Sequence, residues 1–394
     1  MNSACLTYMF KGKIFDDIAL HYATNADNMR LLHLFNPSQE IALADNSTSF
    51  TPKRMVRMME EQMWNFPIWY ADKNDLILKF DNQIVDIKGN TVDYIPDNTI
   101  PLPWGWNKAV RQRFIKLGID SKLMPDESYI DSLRIMASRK FCANYIHKLI
   151  PCFNNMENIV GQNMTFVDDI SCLQEMKPDE LIFKQLWSSS GRGNFVANPK
   201  DADAAKRLQR YVAKQGGFVA DVFYNKILDF AMEFYVYHNG EVEFLGYSVF
   251  KTEANGKYEG NMIKEQAELR NIIISQLGDH NLLDSIKTAH LNLIKKYISG
   301  RYVGFIGVDM MVVDLDGKRA CHPCVEINLR MNMGIVAMNA YQRLRRDLEV
   351  GIGGTGDSEL GACLRSSTRS FDEVMRERGF HTSLKSCLIS IKYS

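Results

Sequence analysis

Residues 304–330, GFIGVDMMVVDLDGKRACHPCVEINLR, contain the pattern on which the predicted fold depends. Two apolar runs flank the Asp-Gly pair at 316–317, a dipeptide typical of the tight turns that join antiparallel strands. The stretch therefore predicts a β-hairpin with Asp309 on its first strand and Glu326 and Asn328 on its second. Residues two apart in a strand share a face, so pairing across the turn would bring Asp309 beside the other two side chains.

The polar side chains of this hairpin suit a hard cation. Two carboxylates and an amide oxygen are ligands that Mg²⁺ accepts when nucleotide phosphates complete its shell. A solvated sheet face is the alternative reading, but the acids lie within apolar runs. Arg330, two residues after Asn328, would point to the same face. It would bind a substrate carboxylate or stabilise a transferring phosphoryl group, unless it forms a structural ion pair with one of the acids.

A second motif lies upstream, where the predicted strand 181–186 (LIFKQL) carries Lys184 and runs into the loop WSSSGRG. Backbone N–H groups and hydroxyls of such a loop can cradle phosphate oxygens, and Lys184 would add a positive charge. The loop is not a P-loop, because GxxxxGK[ST] is absent and strands flank it on both sides. A plain turn is the alternative. The loop residues are Ser188, Ser189, Ser190, Gly191, Arg192 and Gly193.

Composition excludes several classes of protein. The 394 residues contain 47 Lys and Arg against 47 Asp and Glu, which argues against a partner that is a nucleic acid or an acidic membrane. No apolar run approaches the ~18 residues of a membrane-spanning helix. The first residues lack the apolar core of a signal peptide, so we expect a cytoplasmic protein whose eight cysteines are reduced thiols.

The region before residue 125 predicts a small α/β unit. Strand signals occur at LLHLF after Met29, at FPIWYA (66–71) and at LILKF (76–80), with a helix between the first two. Thr51 is placed to cap that helix, with Pro52 in its first turn. Strand–helix–strand order is typical of α/β architecture.

With the strand lysine and its loop, a hinge segment, and the Asp…Glu-x-Asn-x-Arg hairpin in this order, the chain resembles the ATP-grasp superfamily. Members bind MgATP between two α+β lobes and mostly join a carboxylate to an amine or thiol through an acyl-phosphate. The resemblance covers about residues 125–343 and implies an α/β and α+β fold, with a pre-ATP-grasp domain upstream. It divides the chain into an extension (1–28), a pre-ATP-grasp α/β domain (29–125), a first lobe (126–220), a second lobe with the metal site (221–345) and a C-terminal tail without a readable pattern (346–394).

The resemblance assigns the phosphate contacts. Lys140, or its neighbour Arg139, matches the basic residue on the helix before the grasp. Lys184 matches the strand lysine, and the loop 188–193 matches the flexible lid.

The hinge and the ribose contact are assigned in the same way. Asp221, Val222 and Phe223 match the hinge that reads adenine through backbone groups, although the family often has Glu where this chain has Asp221. Asp229 matches the acid that binds ribose. Glu233 is the alternative, because the spacing between the hinge and this acid fits the family pattern only to within one residue.

The hairpin supplies the metal ligands that the resemblance implies, and Arg330 matches the nearby substrate or phosphate arginine. Leu329 stands where the family often has proline. Lys251 and Asn261, in the loop FKTEANGKYEGN, would close over the substrate. The implied metal ligands are Asp309, Glu326 and Asn328.

The implied cofactors are ATP and Mg²⁺, with Mn²⁺ as a substitute metal. Lys184, Arg192 and Arg330 would neutralise charge while a small carboxylate, amino-acid or peptide-like, attacks the γ-phosphate and then meets an amine. A homodimer is the commonest soluble assembly. The alternatives are a kinase-like phosphotransferase and a non-catalytic nucleotide-binding regulatory module.

Three further patterns are interpreted as structural. The CxxC at 321–324 lacks a second ligand pair and predicts core thiols. The GxGxxG at 351–356 follows a helix and predicts a linker. Trp104 and Trp106 are expected to be packing anchors, with the lining of a ligand cleft as the alternative.

Overall fold

The computed structural model describes residues 12–22, 29–153, 157–188, 191, 193–252 and 258–342. The predicted tail and the GxGxxG pattern lie outside the described residues. The helices are α1 (Lys13–His21), α2 (Gln39–Asp45), α3 (Arg54–Gln62), α4 (Lys108–Lys116), α5 (Glu127–Met136), α6 (Arg139–Leu149), α7 (Ala202–Gln215), α8 (Gln266–Leu277) and α9 (His280–Tyr297), followed by a helical segment at 333–342.

The strands form three sheets. Their bounds are β1 (Arg30–Leu34), β2 (Leu76–Leu78), β3 (Ile84–Asp86), β4 (Thr99–Pro103), β5 (Thr165–Val167), β6 (Leu181–Gln185), β7 (Phe195–Ala197), β8 (Phe218–Val222), β9 (Asn225–Val236), β10 (Val242–Thr252), β11 (Tyr258–Asn261), β12 (Gly304–Leu315) and β13 (Lys318–Asn328). The strand orders are β3-β2-β1-β4, β5-β8-β6-β7 and β11-β10-β9-β12-β13. The predicted mixed architecture, a small α/β unit before two α+β lobes, is confirmed.

The N-terminal sheet is mostly parallel. β1 pairs in parallel with β2 and β4, and β3 closes the edge in antiparallel orientation. Part of the predicted extension is the helix α1, which buries Ile14, Ile18 and Ala19 in the same hydrophobic cluster as Leu31 of β1.

Three local predictions were wrong. Helix α3 begins at Arg54, and no side chain caps it, so Thr51 is not its cap. The segment predicted as the strand FPIWYA contains a 3₁₀ helix, Phe66–Trp69, whose proline occupies the first turn where a missing N–H costs nothing. The helix expected over 131–149 is two helices, because Ser138 caps α6 by accepting a hydrogen bond from the backbone N–H of Phe141.

β9 organises the second-lobe sheet because its two faces differ. Its even-numbered residues from Phe230 to Val236 are fully buried in the main hydrophobic cluster, together with Ile273 of α8 and Ile294 of α9. Its odd-numbered residues 229, 231 and 233 face the opposite side. This alternation leaves one face of the sheet free to build a cleft.

The hairpin predicted from 304–330 is confirmed. β12 and β13 pair in antiparallel orientation and turn at Asp316 and Gly317, which have φ values of 53° and 88°. Positive φ at both central positions is the geometry that an Asp-Gly turn accommodates. Asp309 lies directly opposite Glu326, as the sequence predicted. Among the described residues, no helix is long and apolar enough to cross a bilayer.

His290 of α9, which lies between α6 and β13, predicts a pH dependence of stability. The Nε2–H of His290 donates to the Pro323 carbonyl (2.9 Å), so Nδ1 accepts from the Tyr145 hydroxyl (2.9 Å). Burial lowers the pKa of His290 from 6.5 to about 4. The folded state therefore takes up this proton less readily than the unfolded state. The stabilisation is complete above pH 6.5 and is lost as the pH falls towards 4.

We expect chemical denaturation to show that the wild type loses roughly 3 kcal/mol more of its unfolding free energy over this window than His290→Gln does. His280→Gln, at an exposed position, is the control and should keep the wild-type slope. Equal slopes for the wild type and His290→Gln would contradict the prediction.

Candidate functional site

A cleft of about 770 Å³ is lined by residues of the two lobe sheets, by Phe35 and Trp104, which directly follow β1 and β4, and by residues 332–334. Its size falls in the range of small-molecule and cofactor sites. Lys184 reaches it from the first lobe, and Asp309 and Glu326 reach it from the hairpin. The two motifs singled out in the sequence therefore share one cavity.

The floor of the cleft consists of three cross-strand rows on the free face of the second-lobe sheet. Strand register fixes their order, and neighbouring rows are about 7 Å apart, two residues along a strand. Starting at the end nearest the hinge, the rows are Phe250, Asp229 and Met311; then Ser248, Ala231, Asp309 and Glu326; then Gly246, Glu233, Gly307 and Asn328.

The middle row holds two of the predicted metal ligands, Asp309 and Glu326, and the third, Asn328, lies in the next row. Burial, and then the nearby charge of Glu326, raises the pKa of Asp309 from 3.8 to about 7. The amide Nδ2 of Asn328 donates to Asp309 Oδ2 at 3.0 Å. Among the described residues no group of three or more His, Cys, Asp or Glu is placed to hold a metal. Two carboxylates and an amide fit Mg²⁺ better than a cation that needs an all-protein shell, because Mg²⁺ keeps waters and phosphate oxygens.

Arg330 is paired with an acid that the sequence reasoning missed. Its Nε donates to Glu40 on α2, its Nη1 to the Met331 carbonyl (2.9 Å) and its Nη2 to Asn328 Oδ1 (3.0 Å). The ion pair is therefore with the N-terminal region rather than with an acid of the hairpin. Arg330 nevertheless lines the cleft, so it can still meet a substrate.

Of the two basic candidates at the start of α6, Arg139 reaches the site. It is 3% exposed, and its Nη2 lies 2.8 Å from Glu326 Oε1. Its Nη1 donates to the Gln185 carbonyl and to Ser188 Oγ, both at 2.8 Å. Neither side chain lines the cleft directly, and Lys140 Nζ lies 3.9 Å from the centroid of the Phe166 ring, away from Glu326 and Ser188. The placement therefore favours Arg139 for the role that was assigned first to Lys140.

Lys184 belongs to a buried triad. Its Nζ is 3.6 Å from Asp221 Oδ2, and His322 Nε2 is 3.1 Å from the same oxygen. Burial raises the pKa of Asp221, but His322, Lys184 and the Val222 N–H outweigh it and hold that pKa below its usual value. His322 is the middle of the CxxC, whose Cys321 is fully buried like the rest of the motif. The sequence reasoning considered these cysteines and missed the histidine between them.

The hinge and the residues around it form the apolar end of the cleft. Val222 and Phe223 line it, and Phe223 is 43% exposed there. Ile182 of β6 and Met311 of β12 face the same cavity. These two apolar residues were not anticipated, although both lie two positions from a predicted polar site residue and so share its strand face.

Asp229 and Glu233 take different positions. Asp229 lies beside the hinge, with its Oδ2 at 2.5 Å from Lys226 Nζ and 2.7 Å from Thr252 Oγ1. Glu233 is four residues further along β9, about 13 Å away. It is 1% exposed, and burial raises its pKa to about 8. The geometry favours Asp229 as the ribose acid.

The predicted lid is described in part. Ser188 and Gly191 line the cleft. Gly193, at the end of the loop, has a φ of 88°. Ser189, Ser190 and Arg192 lie outside the described residues.

The remaining candidates are divided between cleft and surface. Asn261 faces the cleft and donates to Ser248 Oγ at 2.6 Å. Lys251 is paired with Glu259 at 2.8 Å and does not line the cleft. Trp104 lines the cleft, whereas Trp106 does not.

Close packing around Glu233 generates a prediction. A Cβ added to Gly334 would lie 1.9 Å from Glu233 Oε1. We expect Gly334→Ala to destabilise the protein by about 1–3 kcal/mol, because the carboxyl group must move. Thermal denaturation should show a smaller cost when Gly334→Ala is made in a Glu233→Ala background, since the clashing group is then absent. The same cost in both backgrounds would contradict this packing.

No family model and no curated protein sequence matches this chain. Solved structures similar in fold include a biotin carboxylase–βγ-ATP complex from Campylobacter jejuni, at 11% identity and a TM-score of 0.41, which covers 61% of this chain and 53% of that one. The chain thus spans about half of that protein. An N5-carboxyaminoimidazole synthetase from Staphylococcus aureus complexed with ADP is similar at 10% identity and a TM-score of 0.41, and the match covers 79% of this chain and 77% of that one. A D-alanyl-alanine synthetase A from Vibrio cholerae is similar at 10% identity and a TM-score of 0.43, and the match covers 84% of this chain and 96% of that one.

Proposed function

We propose that this chain is an ATP-dependent ligase of ATP-grasp type that joins a carboxylate to an amine through an acyl-phosphate, releasing ADP and phosphate. The observation that carries the proposal is the single cleft that holds Lys184 from one lobe and the Asp309–Glu326 pair from the other. Positive and negative groups facing one cavity suit a metal–nucleotide complex, which carries both signs.

The row order gives the nucleotide a direction. Adenine would lie between Ile182 and Met311 against the hinge, and ribose would meet Asp229 in the first row. The phosphates would then reach the middle row of acids about 7 Å further along. Bound Mg²⁺, with Mn²⁺ as a substitute, would supply charge neutralisation there, held by Asp309, Glu326 and Asn328.

The chain's own cations would position the phosphoryl group. Lys184 is nine-tenths buried, so its charge acts through little water. Asp221 and His322 fix the lysine's position from behind. Arg139 holds Glu326 and Ser188 together and so connects the hairpin to the start of the lid. Positioning and charge stabilisation are what phosphoryl transfer requires of a protein, and no side-chain nucleophile is needed.

Substitution of the two central residues tests the proposal. We expect Lys184→Ala and Glu326→Ala each to lower ADP release by about a hundredfold or more, because each removes charge complementary to the reacting phosphoryl group. ADP release would be measured with panels of small carboxylates and amines. Lys206→Ala, an exposed lysine on α7, is the matched control and should keep full activity. Full activity in either site variant would contradict the assignment.

The product distinguishes the proposal from its alternatives. A phosphotransferase would give a stable phosphorylated product without any amine, and a regulatory module would bind MgATP without turnover.

The choice between Arg139 and Lys140 can be tested separately. We expect Arg139→Ala to weaken MgATP binding at least about tenfold, because Glu326 and Ser188 lose their charge-assisted hydrogen bonds. Lys140→Ala should leave MgATP affinity within about twofold, since its ammonium lies on Phe166. Isothermal titration of MgATP measures both, and the reverse order would restore Lys140 to the role.

A further inference from the structure

Glu233 stands apart among the acids of the cleft, leaving aside Glu180, which is exposed. Three of the others are paired with cations: Asp221 with Lys184, Asp229 with Lys226, and Glu326 with Arg139. Asp309 is a proposed metal ligand. Within the described part of the chain, Glu233 forms no ion pair, and the side chain bonded to it is the Asn332 amide, with Nδ2 at 2.7 Å from Oε2.

The setting of Glu233 is built for a carboxyl group. Asn332 also accepts a hydrogen bond from the Ile335 N–H at 3.1 Å, so its amide is fixed from both ends. Gly307 and Gly334 pack so closely that a Cβ on either would come within 3.0 Å of a Glu233 oxygen. A buried carboxyl group that is held this firmly without an ion pair, and that faces a cavity, is costly to ionise, and a cationic ligand would offset that cost.

The position of Glu233 fixes which substrate it can meet. It lies in the third row, beyond the metal acids on the side away from the hinge. If the nucleotide runs from the hinge to the middle row, the group that attacks the acyl-phosphate approaches from this side.

Next to Glu233 the cleft has an apolar wall. Met333 follows Asn332 directly and belongs to the same hydrophobic cluster as Phe35, Trp104 and Met59, all of which line the cleft. The rings of Phe35 and Trp104 meet edge to face with centroids 5.1 Å apart. The wall comes from the N-terminal region and the acid from the second lobe.

We propose that this end of the cleft binds the amine substrate as a primary ammonium ion with an apolar body. Glu233 accepts hydrogen bonds from the ammonium group, and the body lies against Phe35, Met59 and Trp104. The inference rests on the proposed function.

Isothermal titration with two small probes tests the acid. Phenethylammonium and its neutral isostere 2-phenylethanol would be titrated into the full chain in the presence of MgADP. We expect the wild type to prefer the amine, and Glu233→Gln to bind the amine about ten- to a hundredfold more weakly while its affinity for the alcohol is unchanged, as loss of a charged hydrogen bond predicts. Glu268→Gln, an exposed acid on α8, should match the wild type.

A second pair of variants tests the wall. Met59→Gln should weaken the binding of phenethylammonium more than the binding of ethylammonium, because only the larger probe reaches the wall. Met55 lies on the same helix but is 59% exposed, so Met55→Gln should leave the affinity for both probes unchanged. This arm does not depend on the folding of the Glu233 variant.

The inference is overturned if the wild type binds no amine while it binds MgADP, if it does not prefer the amine over the alcohol, or if Glu233→Gln keeps that preference. MgADP affinity from the same titrations is the separate measure of the proposed function. If the wild type does not bind MgADP, the proposed function fails, and with it the inference.

Discussion

The antiparallel register of β9, β12 and β13 is the constraint on which the rest of the site depends. It sets Ala231 opposite Asp309, and Asp309 opposite Glu326. A slip of one residue would turn every side chain of a strand to the other face. The buried aromatic rings of Phe230 and Phe234 on the core face oppose such a slip, because they would have to enter the cleft. The hydrophobic core thus holds the polar rows in place.

The N-terminal region is connected to this sheet at the cleft itself. Glu40 of α2 receives the Nε–H of Arg330, and the Trp104 carbonyl accepts the backbone N–H of Met331 at 2.9 Å. Breaking one side of a largely buried ion pair is costly because the remaining charge has no partner. The far end of the cleft therefore takes its shape from the relative position of two parts of the chain. A change in α2 is transmitted to Arg330 and, through its Nη2, to Asn328.

What could be predicted from the sequence was what local chemistry determines. The Asp-Gly turn and the two-residue spacing of Glu326 and Asn328 fix the hairpin, so it was placed correctly. The segment FPIWYA is ambiguous, since an apolar run of six residues fits a strand or a helical turn until packing decides. Arg139 and Lys140 are neighbours, and only the phase of the helix after the Ser138 cap determines which one contacts Glu326.

Long-range partners were beyond that reasoning. Glu40 and Arg330 are 290 residues apart, and nothing near either of them in sequence signals the pair. His322 lies inside a CxxC motif, and such a motif is interpreted from its two cysteines rather than from the residues between them. In both cases the side chain's role is set by a residue on another element, which periodicity and spacing do not encode.

The acids and cations of the cleft are paired with each other, and this pairing favours a ligand that carries both positive and negative charge. Lys184 and Arg139 each have an acid partner, so neither buried cation is left uncompensated. In the proposed complex, phosphates would approach these cations while the metal approaches Asp309 and Glu326, and every group would keep an opposite charge nearby. A ligand of one sign would strand its counterpart in a poorly solvated site, at a cost of several kcal/mol per ion. The equality of 47 basic and 47 acidic residues across the whole chain says little by itself, but the same balance within the cleft suits the proposed metal–nucleotide complex better than a bare anion or cation.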